Sequence, residues 1–235
     1  MVDNLTTGKL SEAFAPGRFR MLLLSLILFV VGSAVASEFG TSRFVEFVLI
    51  AFVLGVAVLE LRAPGQRKIV PIALVVSMIL VRVIERQEAP WRQPLIASTI
   101  VAIFAGVVIW LTYGSVMRAH RPVSDRIVGA ICVYALIGLG WGTVYETLDG
   151  VVPGSLRFPA DTAWSTPTGL RYRYFSFVTL ATLGYGDITP ATTLAGMLAA
   201  VEAIAGQLYI GITVARLVAL SLVDHAASDQ RSKSS

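Results

Sequence analysis

Residues 172–187 read YRYFSFVTLATLGYGD, and the last six, Thr182-Leu183-Gly184-Tyr185-Gly186-Asp187, decide how the rest of the chain is interpreted. The glycines at 184 and 186 permit backbone conformations that a Cβ atom would penalise. The preceding residues, 172–181, are too few to cross a bilayer, which needs about 20 helical residues. A membrane tolerates such a helix and loop only where they are buried in protein or line water. The stretch therefore predicts a re-entrant helix followed by a specialised glycine loop.

Composition indicates a membrane protein and argues against several other classes. Of the 235 residues, 55% are hydrophobic and 14% are charged, whereas a soluble domain averages about 25% charged residues. The net charge is +4, but the basic residues form no patch interleaved with aromatic residues, so we expect no nucleic-acid partner. The single cysteine, Cys132, allows no disulfide within one chain and is interpreted as a small buried hydrophobic residue. We find no nucleophile–base pair or metal motif, so we do not expect an enzyme.

Six apolar runs predict an all-α membrane protein with six transmembrane helices and the re-entrant helix. The runs are residues 21–37, 44–61, 69–84, 95–117, 127–145 and 192–223. The third run is short, and the sixth exceeds one crossing, which predicts that it tilts or projects into the cytosol. Residues 149–171 are rich in Pro, Gly, Ser and Thr and predict an extracellular turret.

These runs divide the chain into five regions. They are a cytosolic N-terminus at 1–20, a four-helix peripheral bundle at 21–117, a short linker at 118–126, a pore domain at 127–223, and a cytosolic tail at 224–235.

The distribution of basic residues predicts the orientation. Twelve of the 19 Lys and Arg residues fall on one side of the predicted membrane and seven elsewhere. The positive-inside rule then places both termini in the cytosol and the glycine loop on the outer side. An alternative concerns residues 21–31, which have the length of a signal-peptide core and precede a possible cleavage site, Ala34-Val35-Ala36. The region before them is long for a signal peptide, so we favour an uncleaved helix.

The loop resembles the T-V/I/L-G-Y-G-D signature of tetrameric potassium channels, and the resemblance covers about residues 126–223. A bare Gly-Tyr-Gly-Asp also occurs in surface turns, but here the flanking residues fit the family as well. The resemblance implies a selectivity filter in which backbone carbonyls replace the hydration shell of K+. The implied ion-binding residues are Thr182, Leu183, Gly184, Tyr185 and Gly186, with the Thr182 hydroxyl as the innermost ligand.

Because a single loop cannot surround an ion, the resemblance also implies a homotetramer of this chain. The assembly would lie among membrane lipids, with K+ as permeant and bound ion and no organic cofactor. The location implied is a plasma membrane, of the bacterial inner-membrane type.

The pore-helix aromatics have an implied supporting role. In the family, residues like Tyr174 and Phe175 form a cuff behind the filter tyrosine, here Tyr185. Phe175 has no polar tip, whereas Tyr174 is predicted to hydrogen-bond Asp187. Some family members carry a glutamate at the position of Val178, paired with the filter aspartate. That pairing is absent here, so inactivation by that route is not expected.

The sixth run carries the gating candidates. Gly206 resembles the family's hinge glycine, but a small residue that allows close helix packing is an equal alternative. Gly211 is a second candidate. Apolar residues recur every four positions after Gly206, and they line the inner cavity or face other helices. They are Ile210, Val214, Val218 and Leu222. Glu202 is ionisable and within a membrane helix, so we expect it to lie behind the filter near the pore helix.

Conventional voltage sensing is not predicted. Residues 95–117, the fourth run, contain no Lys or Arg, and each charge moved across the field supplies only about 2.3 kcal/mol per 100 mV. The linker 118–126 is short and contains Pro122, so each peripheral bundle is expected to pack beside its own pore subunit. Glu46 and Arg82 are predicted to form a structural ion pair. The function predicted is passive K+ conduction, and the alternatives are a cation transporter or a non-conducting accessory subunit.

Overall fold

The structure is a computed structural model, and it describes residues 18–38, 52–53, 55–56, 106, 109–110, 112–114, 116, 123–160 and 169–233. In chain order the elements are helix α1 (Arg18–Glu38), helix α2 (Val123–Val151), strand β1 (Leu156–Arg157), helix α3 (Gly169–Leu180), strand β2 (Thr189–Pro190) and helix α4 (Thr193–Lys233). Among the described residues, three helical stretches are long and apolar enough to cross a membrane. They are Phe19–Glu38, Ser124–Val151 and Thr193–Leu220.

The chain is therefore a mostly helical membrane protein. The predicted second, third and fourth runs lie largely outside the described residues, as do the Glu46–Arg82 ion pair, most of the linker and most of the N-terminal region.

Two helices are longer than the apolar runs that predicted them. Helix α2 continues to Val151, six residues past the predicted end, and helix α4 continues to Lys233 through most of the region predicted as a tail. Hydropathy detects only the apolar part of a helix. Residues 212–233 contain no glycine or proline, so nothing in that sequence ends the helix where its apolar part stops.

Helix α1 packs directly against α2 of the same chain. The shared core contains Phe19, Leu22, Leu26 and Phe29 from α1 and Ala130, Cys132 and Leu136 from α2, together with Val53 and Val116. Cys132 is fully buried and its Sγ lies 3.6 Å from the carbonyl oxygen of Phe19. Because α1 supplies one side of this core, it is an integral part of the fold.

The described part of the predicted turret contains a short strand and a hydrogen-bonded turn. Strands β1 and β2 pair antiparallel, with Leu156 opposite Pro190 and Arg157 opposite Thr189. The Asp149 carboxylate accepts hydrogen bonds from two turn amides, Gly154 at 3.1 Å and Ser155 at 3.0 Å, and from the Tyr172 hydroxyl at 2.7 Å. One acidic side chain at the end of α2 thus fixes both the turn that follows and the start of α3.

Two glycines bring α3 close to α2. A Cβ atom on Gly138 would lie 2.5 Å from the Phe177 ring, and one on Gly142 would lie 2.9 Å from the Arg173 Cα atom. Small residues four apart allow close approach of helices in membranes. The C-terminal half of α2 therefore allows the short helix α3 to pack closely on it.

Candidate functional site

The glycine loop follows α3 directly and has an unusual backbone. Its φ angles are positive at Thr182 (56°), Gly184 (56°) and Gly186 (79°), and no positive φ occurs at Leu183 or Tyr185. A positive φ costs a non-glycine residue about 1–2 kcal/mol, so its presence at Thr182 needs local support. The sign of φ therefore alternates along the loop, which a regular β-strand does not show.

Hydrogen bonds to the end of α3 orient the loop. The amides of Leu183 and Gly184 donate to the carbonyl oxygen of Val178, at 2.9 and 3.4 Å, and the amide of Thr182 donates to that of Thr179 at 2.9 Å. Val178 therefore contributes through its backbone, while its side chain is buried. Because these amides point toward α3, the peptide carbonyls that precede them are directed away from it. The arrangement presents neutral oxygen atoms, which suit a weakly held monovalent cation.

The loop has little cover from its own chain. Residues 181–187 are all exposed, including Leu183 at 58% and Tyr185 at 67% of their surface. A Cβ atom on Gly184 or Gly186 would have no neighbour within 4 Å. Large apolar and aromatic side chains exposed together usually mark an interaction surface. Within a single chain, these oxygens can meet an ion on one side only.

The C-terminal end of the loop is held by Asp187. Its Oδ1 accepts a hydrogen bond from the Ile188 amide at 2.9 Å, and its Oδ2 accepts one from the Tyr174 hydroxyl at 2.6 Å. The predicted Tyr174–Asp187 bond is thus present. Burial, and then the hydrogen bond to Asp187, raise the pKa of Tyr174 to about 12. The phenol therefore keeps its proton and remains the donor at any ordinary pH.

Phe175 packs against α2 within the chain, and its implied role in the cuff behind Tyr185 stays a prediction. Its ring packs edge to face against Tyr145 of α2, with centroids 4.9 Å apart. It is buried in a cluster with Leu156, Tyr172, Ile188 and Ala195, whereas Tyr185 is exposed on the same chain. Within one chain, Phe175 therefore fastens α3 to α2.

Gly206 and two polar side chains that sequence reasoning missed lie at the N-terminal end of the loop. A Cβ atom on Gly206 would lie 2.4 Å from the Leu180 carbonyl oxygen, so α4 touches the last turn of α3 here. That carbonyl also accepts a hydrogen bond from the Tyr134 hydroxyl of α2 at 3.1 Å. Gln207 Nε2 lies 3.3 Å from the Thr182 Oγ1 atom. Gly206 therefore allows close packing of α4 on α3, and its role as a hinge stays a prediction.

Glu202 contacts both α2 and α3, the short helix before the loop. Its side chain is fully buried and accepts a hydrogen bond from the Tyr145 hydroxyl of α2 at 2.6 Å. The Ser176 hydroxyl of α3 lies 2.5 Å from its other oxygen. Neither partner had a sequence signal beyond being a polar residue in an apolar helix.

The remaining gating candidates point away from the described helices of the same chain. All four side chains of the four-residue stripe are exposed: Ile210, Val214, Val218 and Leu222. Gly211 is also exposed, and a Cβ atom added to it would have no neighbour within 4 Å. Lining of the inner cavity and contact with other helices both stay predictions for this stripe.

Comparison with known proteins gives one match. A sequence model of the family described as "Ion channel" matches residues 133–221, which is less than half of the 235-residue chain. The matched residues include most of α2, all of β1, α3 and β2, the glycine loop and the membrane-spanning part of α4. No curated protein and no solved structure matches the chain. The match supports an ion-channel domain with passive ion conduction in a membrane, and it favours a non-enzymatic protein.

Proposed function

We propose that four copies of this chain form a potassium-selective channel. The observation that carries the proposal is the loop 182–186, whose φ angles alternate in sign and whose amides are tied to α3 on one side. Four such loops around an axis would surround a dehydrated ion with carbonyl oxygens, in the way that potassium filters replace the hydration shell. The ligands would be the carbonyls of Thr182, Leu183, Gly184 and Tyr185 with the Thr182 hydroxyl, and Gly186 would turn the backbone outward.

The exposed surface of the single chain supports the assembly. The loop and one side of α4 carry large apolar side chains with no cover from the described residues, and a neighbouring copy of the same chain would bury them. In a four-fold arrangement the stripe from Ile210 to Leu222 would line the inner cavity or the subunit contact. An apolar constriction of this kind gates conduction by dewetting.

Gating by a conventional voltage sensor is not part of the proposal, because residues 95–117 carry no charge. We place the channel in a bacterial inner membrane, with both termini in the cytosol and no organic cofactor.

A flux assay tests the proposal. Liposomes that contain the purified chain are loaded with K+ and diluted into Na+, and the membrane potential is followed with a voltage-sensitive dye. A selective channel makes the interior negative without any coupling ion. The Gly184→Ala variant serves as a control, because its Cβ would lie at a φ of 56° in the middle of the filter. No potential, or a potential that needs a proton or Na+ gradient, would favour the accessory-subunit or transporter alternative.

A further inference from the structure

Three helices meet at one buried carboxyl group. Glu202 on α4 has its Oε2 atom 2.6 Å from the Tyr145 hydroxyl of α2, and its Oε1 atom 2.5 Å from the Ser176 hydroxyl of α3. The same Ser176 hydroxyl lies 2.7 Å from the carbonyl oxygen of Gly138 on α2. All three separations are hydrogen-bond distances between oxygen atoms.

These three contacts need three hydrogens, and the two hydroxyl groups supply only two. A hydroxyl donates one hydrogen, and a backbone carbonyl donates none. The Tyr145 hydrogen serves Glu202 Oε2. The Ser176 hydroxyl can then donate its hydrogen to either the Gly138 carbonyl or Glu202 Oε1, and the other contact has no hydrogen. A proton on the Glu202 carboxyl completes the set: the acid donates to Ser176, and Ser176 donates to the Gly138 carbonyl.

We propose that Glu202 is a proton-binding site, occupied at neutral pH, that locks α2, α3 and α4 together behind the glycine loop. The rival arrangement is an ionised carboxylate that accepts from both hydroxyls. It would leave the Ser176 and Gly138 oxygens facing each other at 2.7 Å without a hydrogen, in a buried region where unsatisfied polar contacts are costly.

The surroundings of Glu202 favour the neutral acid. On α2, the phenol of Tyr145 contacts Glu202, and Tyr134 is the other titratable side chain close enough to interact with it. From α3 it meets Ser176, while Arg173 one turn earlier has its guanidinium 5.1 Å from the Phe29 ring. Residues 193–215 of α4 contain no other charged side chain. Within the described part of the chain, therefore, no cation compensates a negative charge on Glu202, and a buried uncompensated charge is strongly disfavoured.

Loss of the proton would act on the pore loop. Ser176 lies on the helix whose last turn holds the amides of Thr182, Leu183 and Gly184. An ionised Glu202 would reverse the direction of the Ser176 hydrogen bond and release the Gly138 contact, which weakens the support of α3. The expected consequence, which rests on the proposed function, is a channel whose K+ current falls as the pH rises.

Infrared spectroscopy of the full chain in lipid tests the proton site without reference to conduction. The Glu202→Gln variant is a close match to the neutral acid, because its amide donates to Ser176 and its carbonyl accepts from Tyr145. At neutral pH the wild-type-minus-variant difference spectrum should contain the carbonyl band of a protonated carboxylic acid, shifted in D2O. Carboxylate bands in its place would overturn the proposal.

A second variant keeps the test decisive if Glu202→Gln fails to fold. Ser176→Ala removes the acceptor of the carboxyl hydrogen and leaves the acid in place, so the acid band should move to higher frequency. An unchanged spectrum would contradict the relay from Glu202 to Gly138.

Currents measured over the same pH range give an independent reading. Wild-type current should fall at alkaline pH, and the Glu202→Gln current should stay constant; equal losses in both would overturn the link to the pore. If neither protein conducts while the acid band is present, the proton site stands and the channel proposal fails.

Discussion

Replacing Gly206 by alanine tests whether α4 packs closely against the end of α3 at this point. The new Cβ would lie 2.4 Å from the Leu180 carbonyl oxygen and 3.0 Å from its Cδ1 atom, whereas ordinary contacts begin at 3.4 Å. One helix must therefore move by about 1 Å, and overpacking of this kind costs about 1–3 kcal/mol. The movement also stretches the Tyr134–Leu180 hydrogen bond, worth about 1 kcal/mol. Against this, alanine stabilises a helix by about 1 kcal/mol relative to glycine.

The net expectation is a loss of about 1–3 kcal/mol per chain in Gly206→Ala, with a displaced loop and reduced K+ flux. Gly211→Ala is the matched control on the same helix, because its Cβ would have no neighbour within 4 Å of the same chain and should raise stability slightly. Thermal unfolding of both variants in detergent, followed by circular dichroism, measures the difference. Equal stability of the two variants, with altered open probability in Gly206→Ala, would refute the packing argument and restore the hinge.

Three further predictions concern the loop, the bond between Tyr174 and Asp187, and the turn held by Asp149. Gly184→Ala should abolish K+ flux, because a Cβ at a φ of 56° costs about 1–2 kcal/mol in each of the filter loops; normal flux would contradict the backbone assignment. Tyr174→Phe should weaken K+ selectivity or hasten inactivation, since it removes the bond to Asp187. The pKa of Tyr174 is raised to about 12, so the bond is complete below about pH 10, the ordinary pKa of the phenol, and is lost as the pH rises through 12. The difference in K+ selectivity or inactivation between wild type and Tyr174→Phe should therefore be constant from about pH 6 to 9 in bilayer recordings. If this difference disappears within that pH range, the Tyr174–Asp187 bond is not its cause. Asp149→Asn weakens the acceptor that two turn amides and the Tyr172 hydroxyl share. The free energy of unfolding should fall by about 1–3 kcal/mol. An unchanged melting temperature would mean that these hydrogen bonds do not stabilise the chain.

The features that could be predicted from the sequence are those encoded in neighbouring residues. The loop 182–187 and the short helix before it follow from glycine spacing and from the length of the aromatic segment. The Tyr174–Asp187 bond follows from an aromatic donor that precedes the loop and an acid that ends it. The membrane helices follow from apolar runs, although their polar ends, at Val151 and Lys233, do not.

The features that could not be predicted depend on how helices are rotated. The partners of Glu202 are 57 and 26 residues away in sequence, and its helix is apolar on all sides. In a membrane both the lipid-facing and the core-facing side of a helix are apolar, so periodicity does not reveal which side faces inward. For the same reason the sequence left the two interpretations of Gly206 equal, and its close packing is evident only from the distance to the Leu180 carbonyl. The positive φ at Thr182 also had no sequence signal, because threonine rarely adopts it.

The reversal potential of single-channel current is the most direct test of potassium selectivity in the loop 182–186. Purified protein in a planar bilayer, with K+ on one side and Na+ on the other, reports whether dehydrated oxygen sites in the loop select K+. A potassium-selective filter predicts a reversal potential close to the K+ equilibrium value, lost in Gly184→Ala. Current that reverses near zero with both ions permeant would contradict a potassium-selective filter built from residues 182–186.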